Sequence, residues 1–297
     1  MTDLYKRIEM HLGTLVEISI RTESRAIAHL IMEEAFTEIA TIHRLMSFHL
    51  SSSDVSRLNR SAALYPLRVD PRTIEVIRRS CEMSQASDGR FDITVAPMLV
   101  NSGCLPAPVA ACVPHADANW EDIEFVAEDQ IYFRKPLWVD LGGIGKGYAV
   151  DAAFEKCERN KVTECSINAG GDVRLNGVKD TSIVLNVPGH DPTMVPVLEL
   201  ARGSVASSCG WSAAVLNEAF DSGPHFDGVS RLSIDPRRFT AVLAESCLMA
   251  DALTKVVLAL GEDARPLLSR CNATALFYDP ETGWKQIAGS RDESPGL

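Results

Sequence analysis

Ten consecutive residues between two aspartates, LGGIGKGYAV from Leu141 to Val150, include four glycines. Glycine reaches backbone dihedrals closed to other residues and lets a ligand or a neighbouring backbone approach closely. The segment before it, IEFVAEDQIYFRKPLWVDLGG, reads as two strands around a turn at Glu128-Asp129, and a helix is expected from about Lys146 to Arg159. A glycine turn between strand and helix is a common setting for a ligand, and Lys146 offers a point charge to a phosphate oxygen. The spacing matches neither a P-loop nor GxGxxG, since no GKS or GKT is present and the glycines fall at 142, 143, 145 and 147. Taken alone, the stretch supports a phosphate cradle and a plain turn equally.

The formal net charge of −11 argues against general binding to nucleic acid or to anionic membranes. A local basic pocket for a small phosphorylated molecule is compatible with it. With 297 residues, 46% hydrophobic and 23% charged, the chain has the composition of a globular protein and the length for one large domain of two packed lobes. Lys6, Arg7 and Glu9 stand where a signal peptide would need its apolar core, and no apolar run approaches the ~20 residues of a membrane span. A cytoplasmic location is expected. The eight cysteines show no CxxC pairing, which suits reduced and mostly buried thiols. Cys104, Cys112 and His115 share a Pro- and Ala-rich loop without the spacing of a zinc site.

Along the chain, HLGTLVEISI (11–20) alternates as a strand, and Ile27, Leu30, Ile31, Ala35, Ile39, Ile42 and Met46 recur at helical spacing. Ser53 or Asp54 is placed to cap a short helix ending near Asn59. Asp70-Pro71 opens a helix over about 71–87 with a glycine stop at Gly89. Residues 101–118 read as an irregular insertion. TSIVLNV, LELARGSVASSCG and RLSID are expected to continue a sheet, a helix is expected over Leu248–Leu260, and strands close the chain over 272–288. Helices and strands alternate without strict βαβ order, so the fold class expected is α+β in a single domain, 1–297.

Four turns bearing glycine, three of them with aspartate, recur: SDGRFDITVAP, DLGGIGKGYAVD, NAGGDV and SVASSCG, joined by LMADALT at a helix start. There is no GxSxG, no HExxH and no metal-ligand spacing among the seven histidines. His29 and His43 fall in an amphipathic helix and read as structural, and His225 reads as surface.

In order and spacing these segments, with HLGTLVEI, SDVSRLN and SIDPR, resemble the ApbE family of flavin transferases. Its members cleave FAD and attach FMN to a threonine or serine of a partner protein. The likeness spans about residues 10–280 and implies a compact mixed-sheet architecture with flanking helices and a central flavin cleft. Position by position, it implies that Gly13, Thr14 and Asn59 contribute to FAD binding, with Phe91 and Asp92 beside the flavin. Asp140, Gly142, Gly143, Lys146 and Gly147 match the loop that receives FAD, where amides and one ammonium offset the pyrophosphate charge. Asn168, Gly170, Gly171 and Asp172 match the next turn, and Ser207 and Ser208 stand where the family has Thr-Ser. Asp251 matches the aspartate that holds magnesium, with Gly145 through its carbonyl and Thr254 through its hydroxyl completing an oxygen-rich site. Lys146 and Asp251 are the residues assigned to the reaction.

Three departures fall on the chemistry. Leu232 in RLSIDPRRFT stands where the family has a histidine implicated in catalysis, and leucine accepts no proton. Lys255 stands where the family has a threonine one helical turn after the metal aspartate. It either pairs with Asp251, replacing or excluding magnesium, or points outward with Thr254 serving the metal. Cys209 replaces a glycine and reads as a packing cysteine. Three functions are therefore weighed: an FAD:protein FMN transferase, a paralogue that holds FAD without transferring it, and a pyrophosphatase that releases FMN and AMP.

Overall fold

The computed structural model describes residues 2–109, 112–160, 162–187, 190–210 and 223–288. In chain order its elements are β1 (Asp3–His11), β2 (Thr14–Thr22), α1 (Arg25–Met46), α2 (Asp54–Ser61), β3 (Leu67–Arg68), α3 (Pro71–Ala86), α4 (Ala96–Asn101), β4 (Ile123–Ala127), β5 (Gln130–Phe133) and α5 (Gly145–Arg159). There follow β6 (Glu164–Ala169), β7 (Asp172–Val184), β8 (Val197–Cys209), β9 (Phe239–Ala244), α6 (Cys247–Leu260), α7 (Arg265–Arg270), β10 (Thr274–Asp279) and β11 (Gly283–Ala288). They group into two compact units, one of Met1–Thr41, Lys146–Cys209 and Arg238–Leu297, the other of Ile42–Gly145 and Gly210–Arg237.

The first unit is built on an eight-stranded sheet in the order β1-β2-β6-β7-β8-β9-β10-β11, antiparallel at every pairing. Val16, Ile18 and Ile20 of β2 point to one face and are fully buried. They meet Ala28, Ile31, Ala35 and Ile39 of α1 and Val150, Ala153, Phe154 and Cys157 of α5 in one apolar cluster. Each buried Val, Ile or Phe side chain contributes about 1.5–3 kcal/mol, so period-two and period-3.6 patterns that agree on a face hold the helices to it. α6 packs on β8 and β9. An antiparallel sheet with helices laid against it is the α+β class that the sequence implies.

In the second unit β3, β5 and β4 form a separate three-stranded antiparallel sheet. Asp70 caps α3 by accepting the Arg72 N–H at 3.0 Å, Pro71 follows it, and Gly89 ends the turn at φ +79° with its N–H on the Ser84 carbonyl.

The structure corrects several sequence expectations. The first strand is a hairpin: β1 precedes β2 across a two-residue turn whose Leu12 and Gly13 both have positive φ. Leucine rarely adopts that conformation, so the local signal for the turn is weak. TSIV is no separate strand, because β7 runs through it with an irregularity between Asn176 and Thr181. RLSID does not join the large sheet. Arg231 sits at φ +58°, Asp227 accepts the N–H groups of Val229 and Ser230, and Phe226 and Ser233 make one isolated bridge in the second unit. α4 occupies 96–101, a helix the sequence reading omits. The stretch after it is irregular as expected, with residues 110 and 111 outside the described residues. None of the described helices is long and apolar enough to cross a membrane.

Candidate functional site

Within the first unit, the β6–β7 turn meets the ends of β2 and β8 at one end of the large sheet. The β6–β7 turn, Gly170 and Gly171 at φ +62° and +102°, is fixed by the Asn168 side chain accepting the Gly171 N–H at 2.9 Å. A Cβ at Gly170 would lie 2.6 Å from Thr14 Oγ1, and one at Gly171 would lie 3.0 Å from Ser207 Oγ. Glycine here makes room for side chains of β2 and β8 rather than only for a bend. Gly13, Thr14, Asn168, Gly170, Gly171, Ser207 and Ser208 are thus neighbours at the ends of β2, β6, β7 and β8.

The charged groups lie beside this rim. Lys146, in the first turn of α5, pairs with Asp172 at the start of β7. Asp251, in α6, pairs with Lys255 one helical turn on. Asp172 and Asp251 are both fully buried. The Gly147 N–H donates to Asp251 Oδ2 at 3.1 Å. Gly147 has a packing reason to be glycine, since a Cβ would collide with the Cys247 carbonyl and lie 2.9 Å from Asp251 Cβ. α5 is held to the start of α6 a second time by Asp151, whose carboxylate accepts the Cys247 and Leu248 N–H groups and also takes Arg174.

Burial, followed by the nearby Asp251 charge, pushes the Asp172 carboxyl up to about 6 in spite of Lys146. Its Oδ1 is buried with no hydrogen-bond partner. Burial also works against a charged Asp251, but Lys255 and then Lys146 hold it below the usual carboxylate range. For Lys146, burial favours the neutral amine, yet Asp172 and Asp251 outweigh it and the pKa is raised. The cluster is therefore two ammonium groups against two carboxylates, one of which is poised to take up a proton.

Magnesium, the ion the family resemblance implies here, prefers about six oxygen ligands in octahedral array. Lys255 holds Asp251 Oδ1, and its Nζ also donates to the Asp251 carbonyl and to Ser208 Oγ, each at 3.1 Å. The Thr254 hydroxyl donates to the Asp251 carbonyl at 2.6 Å and lies 2.8 Å from Ser208 Oγ. Gly145 opens α5, and a Cβ there would have only Leu141 Cβ, at 3.8 Å, nearby. With an ammonium already seated among the oxygens of Asp251 and Ser208, this donor set does not fit a magnesium ion. Lys255 turns inward, so of the two orientations open to the sequence the structure has the paired one.

The remaining expected site residues belong to the second unit. Asn59 exchanges two hydrogen bonds with the backbone of Val139, donating at 2.9 Å and accepting at 2.8 Å, and so anchors the chain just before the glycine loop. Asp140 accepts the Gly142 N–H at 3.0 Å, which shapes the loop around Gly142 and Gly143. Phe91 is buried. Asp92 caps the turn at Thr94 and pairs with Arg231 at 2.8 Å, yet burial raises its pKa. Arg231 was not foreseen from sequence. It borders a cavity of about 620 Å³ with Asp88, Asp92, Trp120 and Gly228, and its Nη1 is buried without a partner. Leu232 is 69% exposed. The backbone bonds Ile234 N–H to His225 O and Asp227 N–H to Leu232 O set His225 on the loop segment facing that leucine segment. Cys209 packs against an apolar cluster containing Val205, Phe239 and Ala241.

The same arrangement of chain is found in known proteins. The chain is similar to an FAD:protein FMN transferase of Vibrio cholerae, 24% identical over 261 residues that make up 82% of this chain and 78% of the relative. An Escherichia coli protein of the same description is 23% identical over 280 residues, 85% and 77% of the two chains. Among solved structures, the flavin transferase ApbE from Vibrio cholerae superposes with a TM-score of 0.80 at 20% identity, covering 98% of each chain. The ApbE protein from Thermotoga maritima superposes with 0.81 at 22% identity, covering 96% and 97%. The ApbE family model matches residues 12–277, and the chain belongs to the ApbE family.

Proposed function

We propose that this chain, as a single ApbE-like domain, is an FAD:protein FMN transferase. It binds FAD, cleaves the pyrophosphate and joins FMN to a serine or threonine hydroxyl of a protein acceptor. In the balanced step the hydroxyl oxygen bonds to the phosphorus on the flavin side. The P–O bond to the adenylate breaks, AMP leaves, and the hydroxyl proton passes to a base. The observation that carries the reading is the partly buried Lys146–Asp172–Asp251–Lys255 cluster on the rim of small residues Thr14, Gly170, Gly171, Ser207 and Ser208, in a chain of this family.

The cluster suits phosphoryl transfer because that reaction needs positioning and charge stabilisation more than covalent participation by the protein. The Lys146 ammonium and the small residues of the rim would receive the pyrophosphate, with hydroxyls of Ser207 and Ser208 as donors. The cluster charges are held by buried partners, so they meet the developing negative charge without reorganising.

The test is to incubate the purified chain with FAD and an acceptor protein carrying a serine/threonine flavinylation sequence. Acceptor mass rising by one FMN, with AMP released in equal amount, is the expected result. FAD bound without either product would replace the transferase by a binding protein. AMP and free FMN without acceptor modification would make it a pyrophosphatase.

A further inference from the structure

The misfit of magnesium at Asp251 has a positive side. Lys255 Nζ has three oxygen partners, Asp251 Oδ1, the Asp251 carbonyl and Ser208 Oγ, and an ammonium has three protons to give. Its side chain is 13% exposed and that of Asp251 is fully buried. The nitrogen is thus seated like a bound cation, with carboxylate, carbonyl and hydroxyl oxygens around it.

The charge balance points the same way. Lys146 and Lys255 answer Asp172 and Asp251 one for one. In the absence of FAD a divalent ion entering here would bring two uncompensated positive charges, and with or without FAD it would have to take Oδ1 from Lys255. Breaking a buried ion pair by displacing one member is strongly unfavourable. The Thr254 hydroxyl, the candidate side-chain ligand besides Asp251, is engaged by Asp251 and Ser208. Of the three Lys255 contacts, the one to Ser208 is exchangeable, because a phosphate oxygen can replace a neutral hydroxyl and gain a charge-assisted bond.

We propose that Lys255 is a tethered cation standing in for a divalent metal, so that this chain handles the FAD pyrophosphate without magnesium. The inference rests on the flavin reading for its ligand, but the cation site itself is testable without flavin.

The experiment is a Mn2+ titration followed by electron paramagnetic resonance, on the wild-type chain and on Lys255→Thr, each with and without FAD. The wild type is expected to leave the free Mn2+ signal unchanged, and folded Lys255→Thr to take up one ion per chain. In parallel, wild-type FMN transfer is expected to be equal in EDTA and in magnesium, whereas Lys255→Thr gains about tenfold or more from magnesium. Stoichiometric Mn2+ binding by the wild type overturns the proposal, as does wild-type transfer lost in EDTA and restored by magnesium. A folded Lys255→Thr that binds no Mn2+ also overturns it. If Lys255→Thr fails to fold, the wild-type titration still decides. A wild type that ignores both Mn2+ and FAD sinks the flavin reading while leaving the cation assignment standing. Transfer that proceeds with a bound ion does the reverse.

Discussion

At Asp172 one buried carboxyl group sets the charge of the whole cluster. Burial raises its pKa to about 6, so between pH 8 and 5 the cluster passes from balanced charge to one excess positive charge. An anionic pyrophosphate feels that difference directly. FAD affinity is therefore expected to rise about tenfold as the pH falls through 6, a modest Coulomb term for one charge a few ångströms away in a partly screened site. By linkage, FAD binding near that pH takes up a proton. Asp172→Asn, permanently neutral, should bind at the acid-limit affinity with no step near pH 6. Calorimetry across pH and in buffers of different ionisation enthalpy reads both quantities, and a wild-type affinity flat from pH 5 to 8 would contradict the assignment. None of this was legible in the sequence, which supplies the aspartate but not its burial. Lys255 teaches the same lesson, since positions 254 and 255 both neighbour the face of Asp251 on a helix. The packing of α6 on β8 turns both inward, Thr254 fully buried and Lys255 onto Asp251 and Ser208.

At the scale of the element, the glycines of one motif separate into different tasks. Gly147 lies where α5 meets the start of α6, with no space for a Cβ beside Cys247 and Asp251. Gly147→Ala is expected to force the helices apart and cost about 1–3 kcal/mol, the usual range for overpacking. Gly145, two residues earlier, has ordinary negative φ, and a Cβ there would make only an ordinary contact with Leu141. Gly145→Ala is expected to be neutral or to stabilise by up to about 1 kcal/mol through lower unfolded-state entropy. Urea unfolding of the pair measures both, and equal effects would refute the division of roles. The elements themselves were largely legible: α3 from Asp70-Pro71 and Gly89, α1 from its apolar period, the β6–β7 hairpin from Gly-Gly. The failures have local causes. Leu12 and Arg231 adopt positive φ, a conformation no propensity assigns to them. A turn imposed by Asp227 and tertiary pairing then replaces the strand that RLSID resembles.

For the whole molecule, overall charge and local site pull in opposite directions. The chain carries a formal −11, and FAD brings a negatively charged pyrophosphate, so the two repel at separations within the Debye length. The cluster of Lys146 and Lys255 is balanced by Asp172 and Asp251 and projects little field of its own. Approach is then governed by the global charge and retention by partly buried short-range contacts, which salt screens much less. Raising the ionic strength from ~0.01 to ~0.15 M, which shortens the Debye length from about 30 to about 8 Å, is expected to speed FAD association several-fold. The dissociation rate should change less. Stopped-flow quenching of flavin fluorescence separates the two rates. An association rate that falls with added salt would mean that a local positive field reaches into solvent, and that the balanced cluster is not what an arriving pyrophosphate meets first. An association rate that rises ties the acidic composition, visible in the sequence from the start, to a kinetic property of the site that the sequence did not reveal.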